Sequence, residues 1–323
     1  MRFRTLGISI IFVFVFIILW HLGYRYYVLH SRTRTYAITS VSTDEVASTS
    51  TVKIACFNIA HGRGGVYGAS NWQYKNVESL RKHLQALAEH IKRVNADILV
   101  LNEVDFQAKW SLDTNQAEFL AKAVGYKYVA ELPTINVRFP WLSFRFGNAI
   151  LSRYPLENIQ AIDLPPYSKW EAFWVGNHDA VSAVVDTPSG KITVIGVHLE
   201  YRKESVRVQA VKKIAGYVNS PPVVIAGDFN STPIGTSQAQ QTLSGENAMT
   251  FLTEQQGFRY KIADNQSPFS FPAEHPDRLL DWILVKGNVS IQKSTIIPSA
   301  LSDHYMVSSV LSRPIEPGAV ESK

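Results

Sequence analysis

The 323-residue chain contains a single cysteine, Cys56, and therefore cannot form a disulfide bond within itself. Cys56 lies in the apolar run 52–59, where a buried, unreactive thiol is the ordinary outcome and a reactive thiol is the alternative. A hydrophobic fraction of 46% and a charged fraction of 18% are typical of globular proteins. Because a domain of about 260 residues buries most of its surface, a stable core needs no disulfide bonds.

The chain also lacks a strong excess of basic residues in its main body. Residues 1–51 carry five arginines against Asp44 and Glu45, which leaves 27 basic and 25 acidic side chains in the remainder. A protein dedicated to nucleic acid usually shows a clear basic excess in the binding domain itself. The composition therefore gives little support for a polyanion as the partner.

Residues 5–24 contain no charged side chain. Twenty helical residues span about 30 Å, the thickness of a bilayer's hydrocarbon core. Trp20, Tyr24, Tyr26 and Tyr27 would supply an aromatic belt at one interface. We therefore predict an N-terminal transmembrane helix. A cleaved signal peptide and a buried helix are the alternatives, although no small-x-small cleavage site follows the apolar run.

The sequence divides into four parts. Residues 1–24 form the predicted membrane anchor or signal peptide, and residues 25–51 form a juxtamembrane segment and a Ser/Thr-rich linker. Within that linker, residues 35–51 are typical of a flexible tether. Residues 52–312 form one domain, and residues 313–323 form a tail. Because a short basic N-terminus favours export of the chain beyond the apolar segment, we expect a single-pass membrane protein with an extracytoplasmic domain.

Residues 52–312 alternate between short apolar runs and amphipathic segments. Residues 73–94 place apolar side chains at i, i+3 and i+4 spacing, which predicts a helix; residues 117–124 and 204–218 are further predicted helices. The predicted strands are 52–59, 97–101, 126–132, 148–152, 180–186, 192–199, 223–226, 280–285 and 305–311. This order predicts an α/β or α+β fold in which two packed sheets are covered by helices.

Polar side chains stand at the ends of several of these apolar strands. Strand ends often carry functional groups, because a rigid backbone fixes them while neighbouring loops admit a ligand. One such residue alone is more often a cap or a solvated surface group. Six clusters in succession are hard to explain in this way, and they contain Asn58 with His61, Glu103, His198, Asp228 with Asn230, Asp281, and Asp303 with His304.

Together the clusters resemble the endonuclease/exonuclease/phosphatase superfamily, which includes deoxyribonucleases, repair exonucleases, neutral sphingomyelinases and inositol-polyphosphate 5-phosphatases. The most diagnostic motifs are Gly-Asp228-Phe-Asn230 and Ser-Asp303-His304. Residues 147–155, Gly-Asn-Ala-Ile-Leu-Ser-Arg-Tyr-Pro, are similar to a segment common in bacterial members. The resemblance covers residues 52–312. It implies a catalytic domain built as a four-layer sandwich of two mixed β-sheets flanked by helices, with the active site at the top of both sheets.

The resemblance also implies a Mg²⁺-dependent phosphoesterase, with Mn²⁺ as the alternative metal and no other cofactor. Glu103 would hold the metal, with Asn58 and Asp303 close by. Carboxylate oxygens are the hard ligands that Mg²⁺ prefers. No protein partner is implied.

The implied reaction is in-line attack of water on a phosphoester. His304 would act as the general base and Asp281 would orient it, as a carboxylate does in other hydrolytic pairs. Asp228 and Asn230 would position the water and the phosphate. His198 would donate a hydrogen bond to the developing charge or to the leaving oxygen.

Four further residues are candidates for contact with phosphate. His61 and Arg63 lie in a Gly-rich loop, and a turn with solvated side chains is the alternative there. Arg145 and Asn148 flank the expected mouth of the site.

The substrate is less defined. A histidine at position 198 is similar to the deoxyribonuclease, sphingomyelinase and phosphatase branches. Residues 138–146 and 167–174 combine Trp, Phe and Arg, which suits a bilayer interface. With the predicted anchor, they favour a phospholipid or sphingomyelin-type headgroup. The alternative for the aromatic segments is ordinary packing of long loops. The alternatives for the function are an extracytoplasmic nuclease, in which these rings would stack bases, and a non-catalytic binding module.

Overall fold

The computed structural model describes residues 2–30, 32–38, 51–139, 141–218, 222–264 and 268–312. Within these residues the chain forms two β-sheets packed face to face, with helices on both outer faces. The predicted tail, residues 313–323, lies outside the described residues.

The first sheet contains seven strands, numbered here along the chain. Their spatial order is β1 (Arg34–Ala37), β4 (Tyr128–Phe139), β5 (Leu142–Ser152), β3 (Ile98–Ala108), β2 (Thr51–Asn58), β12 (Met306–Ser312) and β11 (Ser290–Ile297). The central pair, β2 and β3, runs parallel, and the other pairs are antiparallel.

The second sheet contains five strands, in the order β10 (Asp281–Lys286), β9 (Val223–Asp228), β8 (Gly190–His198), β7 (Ala180–Thr187) and β6 (Leu156–Ile162). Here β8 and β9 run parallel, and the other pairs are antiparallel. Both sheets are therefore mixed, as the resemblance implied.

Six α-helices accompany the sheets in the described chain. They are α1 (Arg2–His30), α2 (Val77–Val94), α3 (Gln116–Val124), α4 (Lys169–Trp174), α5 (Glu204–Tyr217) and α6 (Ala248–Thr250), the last continuing into a π-helical turn, Phe251–Gln255. Short 3₁₀ turns cover Ala60–Gly62, Asn71–Gln73 and Lys109–Ser111.

Three apolar cores separate four layers. Ile54, Val100 and Val194 fill the space between the two sheets. Leu84 of α2 belongs to the core between the first sheet and its helices, and Val211 of α5 belongs to the core behind the second sheet. Since burying one such side chain contributes about 1.5–3 kcal/mol, these cores hold the strand ends in fixed positions.

The structure extends several predicted strands and adds others. β3 continues to Ala108, and β4 and β5 form one long hairpin that contains most of the aromatic segment 138–146, which we expected between strands. The edge strands β6 and β11 were not predicted. Their side chains are mostly half-exposed or exposed, so they lack the continuous apolar run of an inner strand.

Part of the predicted tether is ordered. Residues 34–37 pair with β4 as strand β1, and Tyr36 donates a hydrogen bond to Glu131 at 2.6 Å. Ile38 is buried. The tether prediction is therefore wrong for residues 35–38, because this segment pairs with the edge of the first sheet. Residues 39–50 lie outside the described residues.

Within the described part of the chain, no helix combines the length and the apolar character needed to cross a membrane. This finding contradicts the transmembrane helix predicted at residues 5–24.

The C-terminal turns of α1 instead lie against the domain. The indole of Trp20 donates a hydrogen bond to the carbonyl of Arg138 at 2.8 Å, and Arg25 donates to the carbonyl of Ala172 at 3.0 Å. The ring of His21 stacks on Trp174. Trp20, which we predicted to lie in an aromatic belt at the membrane interface, thus has its hydrogen-bond partner on the protein.

Candidate active site

A pocket of roughly 440 Å³ is lined by residues of both sheets. It lies at the ends of β2, β8 and β9 and at the start of β10. The candidate residues that line it are His61, Arg63, Glu103, His198, Asp228, Asn230, Asp303 and His304. The fold thus brings together side chains that are far apart in the sequence.

The strand register explains why these side chains meet. His198 and Asp228 are the last residues of β8 and β9 and pair across the parallel ladder. Asp281, the first residue of the antiparallel strand β10, also pairs with Asp228. Asn58, the last residue of β2, lies opposite Asn102 of β3. These positions all fall at one edge of the sandwich.

Two carboxylates occupy the centre of the pocket and share one amide. The Nδ2 atom of Asn58 donates to Glu103 Oε1 at 3.2 Å and to Asp228 Oδ2 at 3.1 Å. The Oδ1 atom of Asn58 accepts from the backbone N–H of Ala60 at 3.0 Å. The Asn58 side chain therefore directs its NH₂ group toward the centre. Its oxygen, the atom that could bind a metal, is engaged by the backbone.

The backbone of Glu103 is unusual. Its φ of 49° lies in the left-handed region, which non-glycine residues rarely adopt. Such a conformation costs about 1–3 kcal/mol and persists where the surroundings enforce it, often at functional sites. Here it coincides with an irregularity in the β3–β5 register between Leu101 and Val104. The irregularity interrupts the regular pairing of β3 at the residue that carries the central carboxylate.

His304 forms a pair with Asp281. Its Nδ1 atom lies 2.8 Å from Asp281 Oδ2, which also accepts from Ser270 Oγ at 2.7 Å. The other ring nitrogen, Nε2, lies 3.6 Å from Asp228 Oδ2. The predicted proximity of His304 and Asp281 is therefore present, with the far nitrogen directed toward the central carboxylates.

A second histidine–aspartate pair was not predicted. His61 Nδ1 lies 2.8 Å from Asp105 Oδ1, and His61 Nε2 lies 3.4 Å from Glu103 Oε2. The indole of Trp110 donates to the other oxygen of Asp105 at 2.8 Å. The available signal was Asp105 itself, since a carboxylate inside an apolar strand requires buried partners.

Two cationic or polar side chains complete the pocket. His198 Nε2 lies 3.9 Å from Glu103 Oε1 and 3.7 Å from Asp228 Oδ2. Arg63 contacts Asp303 Oδ2 at 2.5 Å and lies 3.9 Å from Glu103 Oε2. Both side chains reach the centre, as the sequence predicted for His198 and considered for Arg63.

Two of the candidate phosphate contacts do not reach the pocket lining. Asn148 is fully buried, and its amide is engaged on both sides, accepting from Asn102 at 2.7 Å and donating to the carbonyl of Asp179 at 3.0 Å. Arg145 lies on β5 and does not contribute to the described lining. The structure therefore does not bring Asn148 or Arg145 to the described lining of the pocket, and phosphate contact by either residue stays a prediction.

Asn148 instead supports the site from behind. Through Asn102, whose Oδ1 accepts from the backbone N–H of Asp228 at 3.0 Å, it connects β5 to β9. Asn230 remains at the pocket: its backbone N–H donates to Asp228 Oδ1 at 2.9 Å, and its side chain donates to the carbonyl of Leu199 at 2.9 Å.

The charges around Glu103 keep it ionised. Burial opposes its ionisation, but the neighbouring imidazoles of His61 and His198 and the Arg63 guanidinium outweigh burial and lower the pKa of Glu103 to about 2. Glu103 is therefore an anion throughout the neutral range.

The pKa values of Asp228 and His304 are raised, in contrast to that of Glu103. Burial raises the pKa of Asp228 above the usual range of a carboxyl, and the charge of Asp281 adds to this, while the nearby His304 partly offsets it. For His304, burial alone would lower the pKa, but Asp281 and Asp228 outweigh it and raise the pKa well above that of a free imidazole. His304 therefore keeps its proton at neutral pH, whereas Asp228 takes up a proton more readily than an ordinary carboxyl group.

The donor set fits a divalent cation. Glu103, Asp228 and Asp303 bring carboxylate oxygens, the ligands that Mg²⁺ favours, to one pocket. Ligand atoms of Asp228, Asp281 and His304 lie within 4.8 Å of one another, a spacing compatible with a metal site. The Oδ1 atom of Asp281 is buried without a hydrogen-bond partner among the described residues. An oxygen in that state has an unused capacity to bind a cation.

The group selected by this spacing differs from the predicted ligand set of Glu103, Asn58 and Asp303. Asp281 Oδ2 and His304 Nδ1 already bind each other, whereas the lowered pKa of Glu103 keeps that carboxylate ionised.

Comparison with known proteins agrees with this geometry. The model of the Endonuclease/Exonuclease/phosphatase family matches residues 55–304. An uncharacterised Escherichia coli protein, YbhP, is 28% identical over 242 residues, which cover 70% of this chain and 87% of that protein.

Solved structures show the same fold. An endonuclease/exonuclease/phosphatase from Beutenbergia cavernae superposes with a TM-score of 0.63 at 16% identity, covering 81% of this chain and 72% of that one. The human Nocturnin catalytic domain, solved with a bound sulfate anion, has a TM-score of 0.57 at 18% identity. The match covers 87% of this chain and 98% of that one. The resemblance drawn from the sequence is confirmed: the chain belongs to the endonuclease/exonuclease/phosphatase family.

Proposed function

We propose that this protein is a divalent-metal-dependent phosphoesterase that hydrolyses its substrate by in-line attack of water. The observation that carries the proposal is the convergence of Glu103, Asp228 and His304 on one pocket. A single amide, that of Asn58, touches both carboxylates, and His304 lies 3.6 Å from Asp228. Metal-assisted hydrolysis needs such a cluster of hard ligands beside a group that binds the phosphoryl oxygens.

We assign the metal to the carboxylates of Glu103 and Asp303. The Asn58 amide, whose oxygen accepts from the backbone N–H of Ala60, holds Glu103 and Asp228 in place rather than binding the metal. A bound Mg²⁺ or Mn²⁺ supplies Lewis-acid polarisation of the phosphoryl oxygen and neutralises its charge. Arg63, which now pairs with Asp303, is placed to bind a second phosphoryl oxygen.

The protein's own residues divide the proton transfers. The sequence suggested His304 as the base, but an imidazole between two carboxylates keeps its proton at neutral pH. We therefore assign His304, held by Asp281, as the donor that binds a phosphoryl oxygen. Asp228, whose raised pKa suits proton transfer near neutrality, accepts the proton of the attacking water.

His198 and Asn230 occupy the other positions around the phosphate. His198 enters the pocket from the end of β8 and is assigned as the donor to the leaving oxygen. Asn230 fixes Asp228 through its backbone N–H and orients the proton acceptor.

For the substrate we favour a phospholipid or sphingomyelin-type headgroup. Trp141 and Trp170 are 62% and 71% exposed, respectively, and each belongs to an aromatic segment noted in the sequence. Large exposed indoles suit the interface of a bilayer. The pocket also has an aromatic wall, in which Tyr67 packs edge-on against Phe271.

A nuclease is the second candidate function. Tyr67 and Tyr201 line the pocket and are each 63% exposed, so a base could stack on either ring. The nearly balanced charge of the domain weighs against this candidate.

A substrate panel tests the proposal. The full-length protein with Mg²⁺ is given bis(p-nitrophenyl) phosphate, vesicles of phosphatidylcholine with or without sphingomyelin, plasmid DNA and RNA, and Glu103→Gln serves as the matched inactive control. We expect metal-dependent release of a phosphorylated headgroup from vesicles. Hydrolysis of nucleic acid alone would favour the second candidate, and no hydrolysis of any phosphoester would refute the proposed function.

A further inference from the structure

His178 is a pocket residue that neither the sequence nor the proposed reaction has used. It lies in the short turn between α4 and β7, and its imidazole lines the pocket beside His198. The two rings meet edge to face, with centroids 5.1 Å apart and an angle of 82° between their planes. Edge-to-face contacts of this kind fix the orientation of both rings.

The turn that carries His178 is held tightly. The backbone N–H of Asn177 donates to the carbonyl of Thr134 at 2.9 Å, and the Asn177 side chain donates to the carbonyl of Leu164 at 2.5 Å. Gly176 has a φ of 128°, and any Cβ there would overlap the carbonyl oxygen of Thr134. The backbone therefore presents His178 from a fixed position.

The outer edge of His178 faces an ion-pair chain. Its Nε2 atom lies 3.9 Å from Glu200 Oε2, and Glu200 is buried. Arg202 binds Glu200 at 2.5 Å and Glu171 of α4 at 3.0 Å. Burial lowers the pKa of His178 and also that of His198, so the contact joins two neutral rings.

We infer that His178 is a positioning residue for His198, holding that imidazole toward Glu103 and Asp228. The inference rests on the proposed function, because it assigns His178 to the leaving-group side of the same reaction. Among the described residues, the carboxylate within 4 Å of His178 is Glu200 and not Glu103 or Asp228, so His178 acts through the ring that it contacts.

A double-mutant cycle tests this assignment with bis(p-nitrophenyl) phosphate and with the best natural substrate of the panel. We expect His178→Ala to lower kcat about tenfold or more, since small displacements of a reacting group carry losses of this order, while KM stays within about twofold. His178→Phe keeps the ring contact and should retain kcat within about threefold of the wild type. The variant His178→Ala/His198→Ala should be no slower than His198→Ala alone.

Additive losses in the double variant would overturn the inference, as would an unchanged kcat in His178→Ala. His90→Ala, which alters a buried histidine outside the pocket, is the matched control for a purely structural effect, and thermal unfolding is measured for every variant. A crystal structure of His178→Ala distinguishes failure of the positioning role from failure of the proposed function. If no phosphoester is hydrolysed by the wild type, a rotated His198 ring in that structure still supports the positioning role, whereas an unmoved ring contradicts it.

Discussion

In both histidine–aspartate pairs of the site, His304–Asp281 and His61–Asp105, the Nδ1 atom lies 2.8 Å from a buried carboxylate oxygen. The surroundings of the two pairs differ. The second oxygen of Asp105 accepts from Trp110, whereas the second oxygen of Asp281 has no partner among the described residues.

The far nitrogens also face different carboxylates. His61 Nε2 lies 3.4 Å from Glu103, and His304 Nε2 lies 3.6 Å from Asp228. Gln116 fixes the first pair to α3, since it donates to the carbonyl of His61 at 2.8 Å and accepts from the backbone N–H of Asp105 at 3.0 Å. We call His61–Asp105 the closed pair, because both oxygens of Asp105 have partners, and it supports Glu103. We call His304–Asp281 the open pair, because one oxygen of Asp281 has no partner among the described residues, and this pair is the reactive one.

The largest effect should come from breaking the open pair. We expect His304→Ala to lower kcat by about 10²–10⁴, because it removes the charged donor that faces the phosphoryl group. Steady-state kinetics on the best substrate measures the loss, with circular dichroism as the control for folding. A variant that keeps more than about a tenth of the wild-type kcat would show that His304 does not act on the substrate.

Breaking the closed pair should have a smaller effect of a different kind. In His61→Ala or Asp105→Asn, Glu103 loses its support, and we expect the Mg²⁺ concentration for half-maximal rate to rise about 10–100-fold, the usual effect of removing a partner of a metal ligand. Rates measured over a Mg²⁺ series test this expectation. If saturating Mg²⁺ failed to recover most of the rate, the division of roles between the two pairs would be wrong.

The pH dependence sharpens the comparison further. A group that must lose its proton gives a rate that rises with pH, and a group that must keep its proton gives a rate that falls at higher pH. Because the pKa of Asp228 and that of His304 are both raised, kcat should rise through the neutral range and fall only in the alkaline range. In His304→Gln the alkaline fall should disappear. A wild-type rate that is flat above neutral pH would contradict the donor role of His304.

The smallest effect is expected at Arg145. It is half-buried and lies outside the described pocket lining, so Arg145→Ala should change kcat and KM by less than about threefold, because no group that lines the pocket is removed. The same assay with Arg63→Ala is the matched comparison, because Arg63 touches Asp303 at the pocket. A large rise in KM for Arg145→Ala alone would restore Arg145 as a phosphate contact.

The sequence predicted the open pair better than the closed one for a physical reason. Asp281 begins the buried strand β10 at the edge of the second sheet, and His304 comes just before the inner strand β12, so both residues stand beside mostly apolar runs in the sequence. Asp105 lies within β3, beyond the irregular register at Glu103. Its partner could be found only once β2, β3 and α3 had been packed together.

The position of Asn148 behind the pocket has a related cause. The motif at residues 147–155 correctly indicated a strand, but the face on which Asn148 lies depends on how β5 pairs with β3 and β4. A shift of one residue in register reverses the face of every side chain in a strand. His178 gave no signal, because it lies in a turn whose position is set by contacts with Thr134 and Leu164.

Calorimetric titration of Mg²⁺ into the full-length protein, compared with Glu103→Gln, measures the metal site without any choice of substrate. Binding to the wild type that weakens by at least about tenfold in Glu103→Gln is expected, since a carboxylate ligand is replaced by a neutral amide. Equal affinities for the wild type and the variant would contradict a metal site built on Glu103.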